Sequence, residues 1–249
     1  MSGSQPRLRV FAGPNGSGKS TLKEVLPESL LGIYVNADEI EKLIRADGHL
    51  ALSDFSIEAT AAELSDFLAQ STLLQSQGLQ ADAGRMVLQD GRVVFQALPV
   101  NSYHASVLAD FIRHKLLSDG TSFTFETVMS SQDKVDFLCK AQKTGFRTYL
   151  YFVATEDPEI NVSRVQHRVA TGGHPVTKDK IISRYHRSLA LLSQAVACTD
   201  RAYVFDNSGE DKVWLAEVTD GGELEMKTDV APHWFKAALW DAFDGDDVA

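Results

Sequence analysis

The sequence predicts an α/β protein: five parallel strands in an open sheet with helices on both faces, a helical insertion, and a C-terminal hairpin followed by a helix. Three observations carry this. Short apolar runs alternate with segments of helical period along most of the chain. A glycine-rich stretch, Gly13 to Ser20, joins the first strand to the first helix. A length of 249 residues, 44% hydrophobic and 23% charged, is enough to bury a full core and fits neither a disordered chain nor a coiled coil.

The first strand, residues 7–12, reads Arg-Leu-Arg-Val-Phe-Ala and runs through the glycine-rich stretch into a helix at about 20–25. A second strand, 32–36, stops at Ala37-Asp38. The helix after it, about 38–46, carries Ile40, Leu43 and Ile44 on one face. Residues 56–77 read as one long helix through Ile57, Ala61, Leu64, Phe67, Leu68, Leu73 and Leu74. Asp90-Gly91, between Met86-Val-Leu and Val93-Val-Phe, is a favoured turn pair and predicts a small hairpin. A further helix covers 103–117. Residues from about 50 to 100 form an insertion with no turn-rich linker, expected to pack on the main domain. The α/β rhythm resumes with a strand at 122–126, a helix at 132–144 and a strand at 147–153. A polar helix at 158–169, the loop Thr171-Gly-Gly-His-Pro and a helix at 178–197 precede the fifth strand, 201–205. The end is an antiparallel hairpin, 213–218 and 224–226 around Asp220-Gly-Gly, and a last helix at 233–243. The chain, 1–249, reads as one domain with a lid at about 158–190 and no internal repeats.

The formal net charge of -10 argues against a broad grip on nucleic acid, which needs clustered Lys and Arg. It leaves room for a local basic pocket that takes a phosphorylated small molecule. The longest apolar run, 149–154, is too short to span a membrane, and the N-terminus has no charged-then-apolar signal pattern. Cys139 and Cys198 lie far apart and form no C-x-x-C pair, which argues against a disulfide framework and a structural zinc site. A reducing, cytoplasmic location is expected.

Gly13-Pro14-Asn15-Gly16-Ser17-Gly18-Lys19-Ser20 matches G-x-x-x-x-G-K-[ST] in full, with Thr21 after it. The chemistry needs this spacing. Gly16 and Gly18 let the backbone turn tightly and approach oxygens closely. Successive N–H groups then face a phosphate, at the positive end of the following helix. Lys19 reaches the outer phosphates, and Ser20 offers a hydroxyl to Mg²⁺. A strand before the loop and a helix after it are the context that separates this motif from a glycine-rich surface loop.

No guanine-reading N-K-x-D is present. Two strands end in acids: one at Asp38, the other at Glu126-Thr127. Ligands of an open parallel sheet bind at the carboxyl ends of its strands, so both acids are expected at the phosphate crevice. An Asp there can accept the proton of an attacking hydroxyl, and a second carboxylate can hold neighbouring hydroxyls. The plainer readings are Asp38 as an N-cap and Glu126 as an ion-pair partner. Arg164 and Arg168 share a helix face, and Arg184 and Arg187 follow on the next helix. Gly172-Gly173 would hinge a segment closing arginines onto a transferring phosphoryl group. The plainer reading pairs these arginines with Glu159 or Asp179.

Together these segments resemble the zeta-toxin-like P-loop kinases, in the branch labelled predicted ABC-type ATPases. The residues are Ala12 to Thr21, Asn36-Ala-Asp-Glu-Ile, Phe123-Thr-Phe-Glu-Thr with Ser130, Arg164 to His174, Arg184-Tyr-His-Arg-Ser-Leu and Asp206-Asn-Ser. The resemblance implies ATP with Mg²⁺ and transfer of the γ-phosphate to a hydroxyl of a small molecule. In zeta toxins that acceptor is a nucleotide sugar, UDP-N-acetylglucosamine. It implies Lys19 and Asp38 as catalytic residues, Glu126 and Thr127 as substrate contacts, and Arg168 and Arg184 as lid arginines. Asn207 is implied near the adenine. A separate antitoxin protein is compatible with it. The chain departs from the toxins in its Gly-Gly-His lid and in its insertion between Asp38 and Glu126, where acceptor specificity is set. A nucleotide-driven switch and a non-catalytic nucleotide-binding module are the alternatives.

Overall fold

A computed structural model of the chain describes residues 5–171 and 175–244. It begins with β1 (Arg7–Ala12), a 3-10 helix (Lys19–Val25), α1 (Glu28–Leu31), β2 (Ile33–Val35) and α2 (Ala37–Asp47). Then come β3 (His49–Ala51), α3 (Ala61–Ala69), α4 (Thr72–Ser76), β4 (Met86–Gln89), β5 (Arg92–Phe95) and α5 (Ser102–Ser118). Next are β6 (Phe123–Thr127), α6 (Gln132–Lys143), β7 (Arg147–Ala154), α7 (Pro158–Ala170), α8 (Lys178–Ala190) and α9 (Leu192–Ala197). The chain finishes with β8 (Arg201–Asp206), β9 (Val213–Thr219), β10 (Glu223–Met226), α10 (His233–Phe235) and α11 (Asp241–Asp244). The chain forms two compact units, Met1–Leu31 with Glu126–Ala249, and Gly32–Phe125.

In the first unit the strands lie in the order β10, β9, β8, β7, β1. β1, β7 and β8 are parallel, with Phe11 beside Tyr151 and Tyr151 beside Tyr203. β9 and β10 run antiparallel, as the terminal hairpin predicts. Alternation along each strand sets the faces. Leu8, Val10, Leu150, Phe152, Ala202 and Val204 share one face, and all are buried. α6 packs on β7, and α9 on α6. The other face carries Arg9, Tyr149, Tyr151 and Tyr203. Tyr151 and Tyr203 stack at 4.9 Å, and the Arg9 guanidinium lies 5.1 Å over the Tyr149 ring. Burial pushes the Tyr151 phenol up to about 12.

In the second unit β2 pairs in parallel with β6 through Ile33–Phe123 and Val35–Phe125. α2 packs against α5. The expected hairpin is present: β4 and β5 pair across Asp90-Gly91, both at positive φ, and β3 adds to the other edge of β5. The five parallel strands of the sequence reading are thus three in the first unit and two in the second, and the class is α/β with a mostly parallel sheet.

The differences lie in the helices. The stretch 56–77 is two helices, because it contains two good caps. Thr60 and Glu63 form a capping box at the start of α3, and the Ser71 hydroxyl accepts from the Leu74 N–H to start α4. A hydrogen bond from Lys115 holds the Glu63 carboxyl down to about 2. The helix expected from 20 is 3-10 rather than α, and 178–197 breaks at Leu191. The last helix passes through a π-helical segment, Lys236–Trp240.

The cysteine reading is corrected. Cys139 and Cys198 are joined in a disulfide, with Cα atoms 4.7 Å apart. Their 59-residue separation in sequence says nothing of distance, since α6, which carries Cys139, packs with α9, which ends just before Cys198. Cys198→Ser should lower the oxidised protein's unfolding free energy by about 2–4 kcal/mol. Urea melts with and without reductant check this: the gap between wild type and variant closes when reductant is added.

Candidate active site

The phosphate-loop motif leaves β1 and is pressed against two other elements of its own unit. Gly13 has φ +140°, and a Cβ there would lie 2.0 Å from the Val153 carbonyl oxygen at the end of β7. Gly16 has φ +77°, and its Cβ would lie 2.6 Å from the Asn161 carbonyl oxygen on α7. Any side chain at either position collides with backbone that has nowhere to go. The motif's first glycine is therefore a matter of close packing on β7 as well as of turning.

Two asparagines hold the loop's carbonyls. Asn161 is fully buried, and its Nδ2 donates to the Asn15 carbonyl at 2.6 Å, while its Oδ1 accepts from the Thr155 hydroxyl. Asn207, just past β8, donates from Nδ2 to the Ser17 carbonyl at 2.8 Å. Arg164 in turn holds the Asn207 and Gly209 carbonyls, at 2.7 and 3.3 Å. The Tyr185 hydroxyl donates to the Thr155 carbonyl at 2.6 Å, and burial pushes its phenol well above the usual range, keeping it a neutral donor. Lys212 donates to the Thr21 hydroxyl at 2.8 Å, and that hydroxyl donates to the Gly18 carbonyl.

The inside of the loop suits an anion. The Lys19 ammonium is buried and donates to the Pro14 carbonyl at 2.8 Å. The Ser17 hydroxyl is fully buried and has no hydrogen-bond partner, a cost that a phosphate oxygen would remove. These groups fit a nucleotide's phosphates. The helix that follows has only seven residues and is 3-10, so it offers no long helix dipole to an anion.

Several of the residues singled out from sequence gather here. Ser20 Oγ lies 3.2 Å from both carboxylate oxygens of Glu126. The Thr127 hydroxyl accepts from the Met129 N–H at 3.0 Å and so shapes the turn after β6. Arg184 Nη1 donates to Asn15 Oδ1 at 3.4 Å. Arg168 is exposed, seven residues beyond Asn161 and so on the stripe of α7 that carries Asn161 and Val165. Glu159 pairs with Lys178, not with one of the arginines. Asn207 is a clamp on the loop. The hinge Gly172-Gly173 and His174 lie outside the described residues.

Asp38 lies in the other unit, exposed in the first turn of α2. It is not that helix's cap. Asn36 takes the role, its Oδ1 accepting from Asp38 N and Glu39 N at 2.8 and 3.2 Å, so the plainer reading of Asp38 is removed. Sequence reasoning missed Asn161 and gave Arg164 to the lid face. Asn161 sits three residues past the helix-starting Asp157-Pro158, and no local pattern marks a buried asparagine as a clamp.

Residues 96–219, just under half of the chain, match the Zeta toxin family model. The chain is similar over 91% of its length to a structure of AvrRxo1-ORF1:AvrRxo1-ORF2 with sulphate ions, at 18% identity and a TM-score of 0.55. It covers 96% of its length against a structure of the PezAT chromosomal toxin-antitoxin system of Streptococcus pneumoniae, at 13% identity and a TM-score of 0.51. Those likenesses are of fold. The chain spans 62% of the first of these solved chains and 80% of the second. An uncharacterized protein of Haemophilus influenzae is 24% identical over 181 residues, 73% of this chain and 94% of that one. The α/β fold is shared with these solved chains, and the resemblance to the zeta toxin family is borne out.

Asn161→Ala should destabilise the first unit by about 1–3 kcal/mol, since it leaves the Asn15 carbonyl and Thr155 hydroxyl without their buried partner. It should also weaken ADP binding in the protein that remains folded. A urea melt and an ADP titration at a temperature well below the melt check the two effects.

Proposed function

We propose that the protein is an Mg-ATP-dependent phosphotransferase that moves a γ-phosphoryl group to a hydroxyl of a small molecule. The observation that carries this is the loop itself. It has a buried lysine resting on a carbonyl, a buried serine hydroxyl with no partner, and a backbone held open by two asparagines. A further AvrRxo1-ORF1:-ORF2 structure, with a TM-score of 0.50, is of that complex with ATP, which supports ATP as the nucleotide here.

In this reading Lys19 leaves the Pro14 carbonyl for the outer phosphate oxygens. Ser20 holds the magnesium ion, which supplies charge neutralisation at the phosphates. Arg184, already at Asn15, and Arg168, on the same stripe as the clamp, meet the charge that spreads over the transferring group. Asp38 is assigned the proton of the attacking hydroxyl on the resemblance and on its release from capping. Thr127, beside Glu126, is assigned to the acceptor. A nucleotide sugar such as UDP-N-acetylglucosamine is one acceptor of the right class. The insertion between Asp38 and Glu126 makes a different hydroxylated metabolite the more informative search. An antitoxin partner is proposed because PezAT is a toxin-antitoxin system. No helix among the described residues is long and apolar enough to cross a membrane.

ADP release measured with and without a panel of hydroxylated metabolites tests the reading. Release that depends on one acceptor supports a kinase, and release indifferent to every acceptor supports an ATPase instead. Asp38→Asn should keep ATP binding and lose about 10²- to 10⁴-fold in transfer rate. Arg168→Ala should lower turnover at saturating ATP far more than it weakens ATP binding, because a lid arginine meets the phosphoryl group mainly in the transition state. Steady-state rates beside ATP titrations check both.

A further inference from the structure

The second face of the first unit's sheet carries more positive charge than its neighbours balance. The register places Arg7 beside Arg147, Arg9 beside Tyr149, and Tyr149 beside Arg201. Alternation puts all of them on one face, near the amino ends of β1, β7 and β8. This clustering occurs in a chain whose net charge is -10. Glu217, beside Tyr203, pairs with Arg201 and with Lys227. Among the described residues, neither Arg9 nor Arg147 is paired with a carboxylate. What they share is one ring. Their guanidinium carbons lie 5.1 and 5.7 Å from the Tyr149 centroid.

Arg9 is 5% exposed. A buried arginine is ordinarily paired, because an isolated charge is costly away from water. A ring face offsets part of that cost, and here two cations draw on the same ring. The polar groups alongside are hydrogen donors as well. Arg9 hydrogen-bonds to the Tyr151 phenol oxygen, which leaves that phenol its own hydrogen to give. Burial raises the Tyr151 and Tyr203 phenols above their ordinary range, so both stay neutral donors. Guanidinium forks and phenol hydroxyls gathered on one stretch of sheet are the donor set that an oxyanion requires.

We propose that Arg9 and Arg147, with the Tyr151 hydroxyl, form a second ligand site that binds a multiply charged oxyanion, the phosphate or carboxylate groups of a small metabolite. The site does not depend on the nucleotide reading of the loop. Arg9 precedes Gly13 by four residues, about 13 Å of extended chain, so an anion here is not the one the loop holds. Arg147 is exposed and gives the ligand its way in, while Arg9 supplies the buried charge that the ligand balances.

The test titrates the full chain by calorimetry with inorganic pyrophosphate and, separately, with citrate, against potassium chloride at matched ionic strength. The background is Lys19→Ala, which lacks the loop's cation. Oxyanion binding should persist there and fall about 10- to 100-fold when Arg147→Gln is added. Binding of pyrophosphate alone assigns the site to phosphate groups, and binding of citrate alone assigns it to carboxylates. If Lys19→Ala folds poorly, the wild-type chain with and without Arg147→Gln reads the same loss of one site. Thermal melts in the same background give a second readout. Saturating oxyanion should raise Tm, and Arg9→Met should abolish the rise whatever that variant's own stability. An undiminished rise in Arg9→Met, an affinity indifferent to Arg147→Gln, or an effect that chloride reproduces overturns the proposal. Binding lost wholly in Lys19→Ala and untouched by Arg147→Gln belongs to the loop, which refutes the second site and leaves the nucleotide reading standing.

Discussion

The site hangs on the fit of one loop backbone against the end of β7 and the side of α7. Gly13 presses on the Val153 carbonyl, Gly16 presses on the Asn161 carbonyl, and Asn161 reaches back to hold Asn15. Two of the loop's carbonyls, those of Asn15 and Ser17, are held by Asn161 and Asn207, from positions 146 and 190 residues away in sequence. The remaining carbonyls shown with partners are served from inside the segment, Pro14 by Lys19 and the Ser17 N–H, and Gly18 by Thr21. The loop's local geometry, more than net charge, is what suits it to an anion in a chain of charge -10.

The same contacts join the loop to the arginine-bearing helices. Asn15 receives Asn161 on its carbonyl and Arg184 on its side chain, so α7 and α8 each send a side chain to a single loop residue. Tyr185 holds the turn between β7 and α7 through Thr155, and Ser188 donates to the Val128 carbonyl after β6. A shift of either helix is therefore felt in the loop. Arg164 belongs to this frame because it ties down the carbonyls of Asn207 and Gly209.

What was legible in the sequence was what depends on neighbours in sequence. The phosphate loop, the Asp90-Gly91 hairpin, the antiparallel end and most strands follow from local spacing and turn chemistry, and all are present. The misses have a common physical origin. Thr60 and Ser71 cut a stretch whose apolar period alone reads as one helix. Cys139 and Cys198 meet because two helices pack, and Asn161 acts through a carbonyl far along the chain. The plainer alternative for Asp38 fails because the cap of α2 goes to Asn36, the residue with extended backbone, φ -133° and ψ 122°, one position before the helix begins. The family match covers 96–219 and so includes neither the loop nor Asp38, which makes the loop's geometry an independent line of support for the chemistry.

The most direct measurement follows the fate of the terminal phosphate. ATP labelled in its γ-phosphoryl group is incubated with the protein and a small-molecule extract, and the labelled products are separated and weighed by mass spectrometry. Label on an organic hydroxyl, absent when Lys19 is replaced by Ala, is the predicted result. Label found only as inorganic phosphate, at the same rate with or without the extract, would contradict a phosphotransferase and assign the loop to hydrolysis.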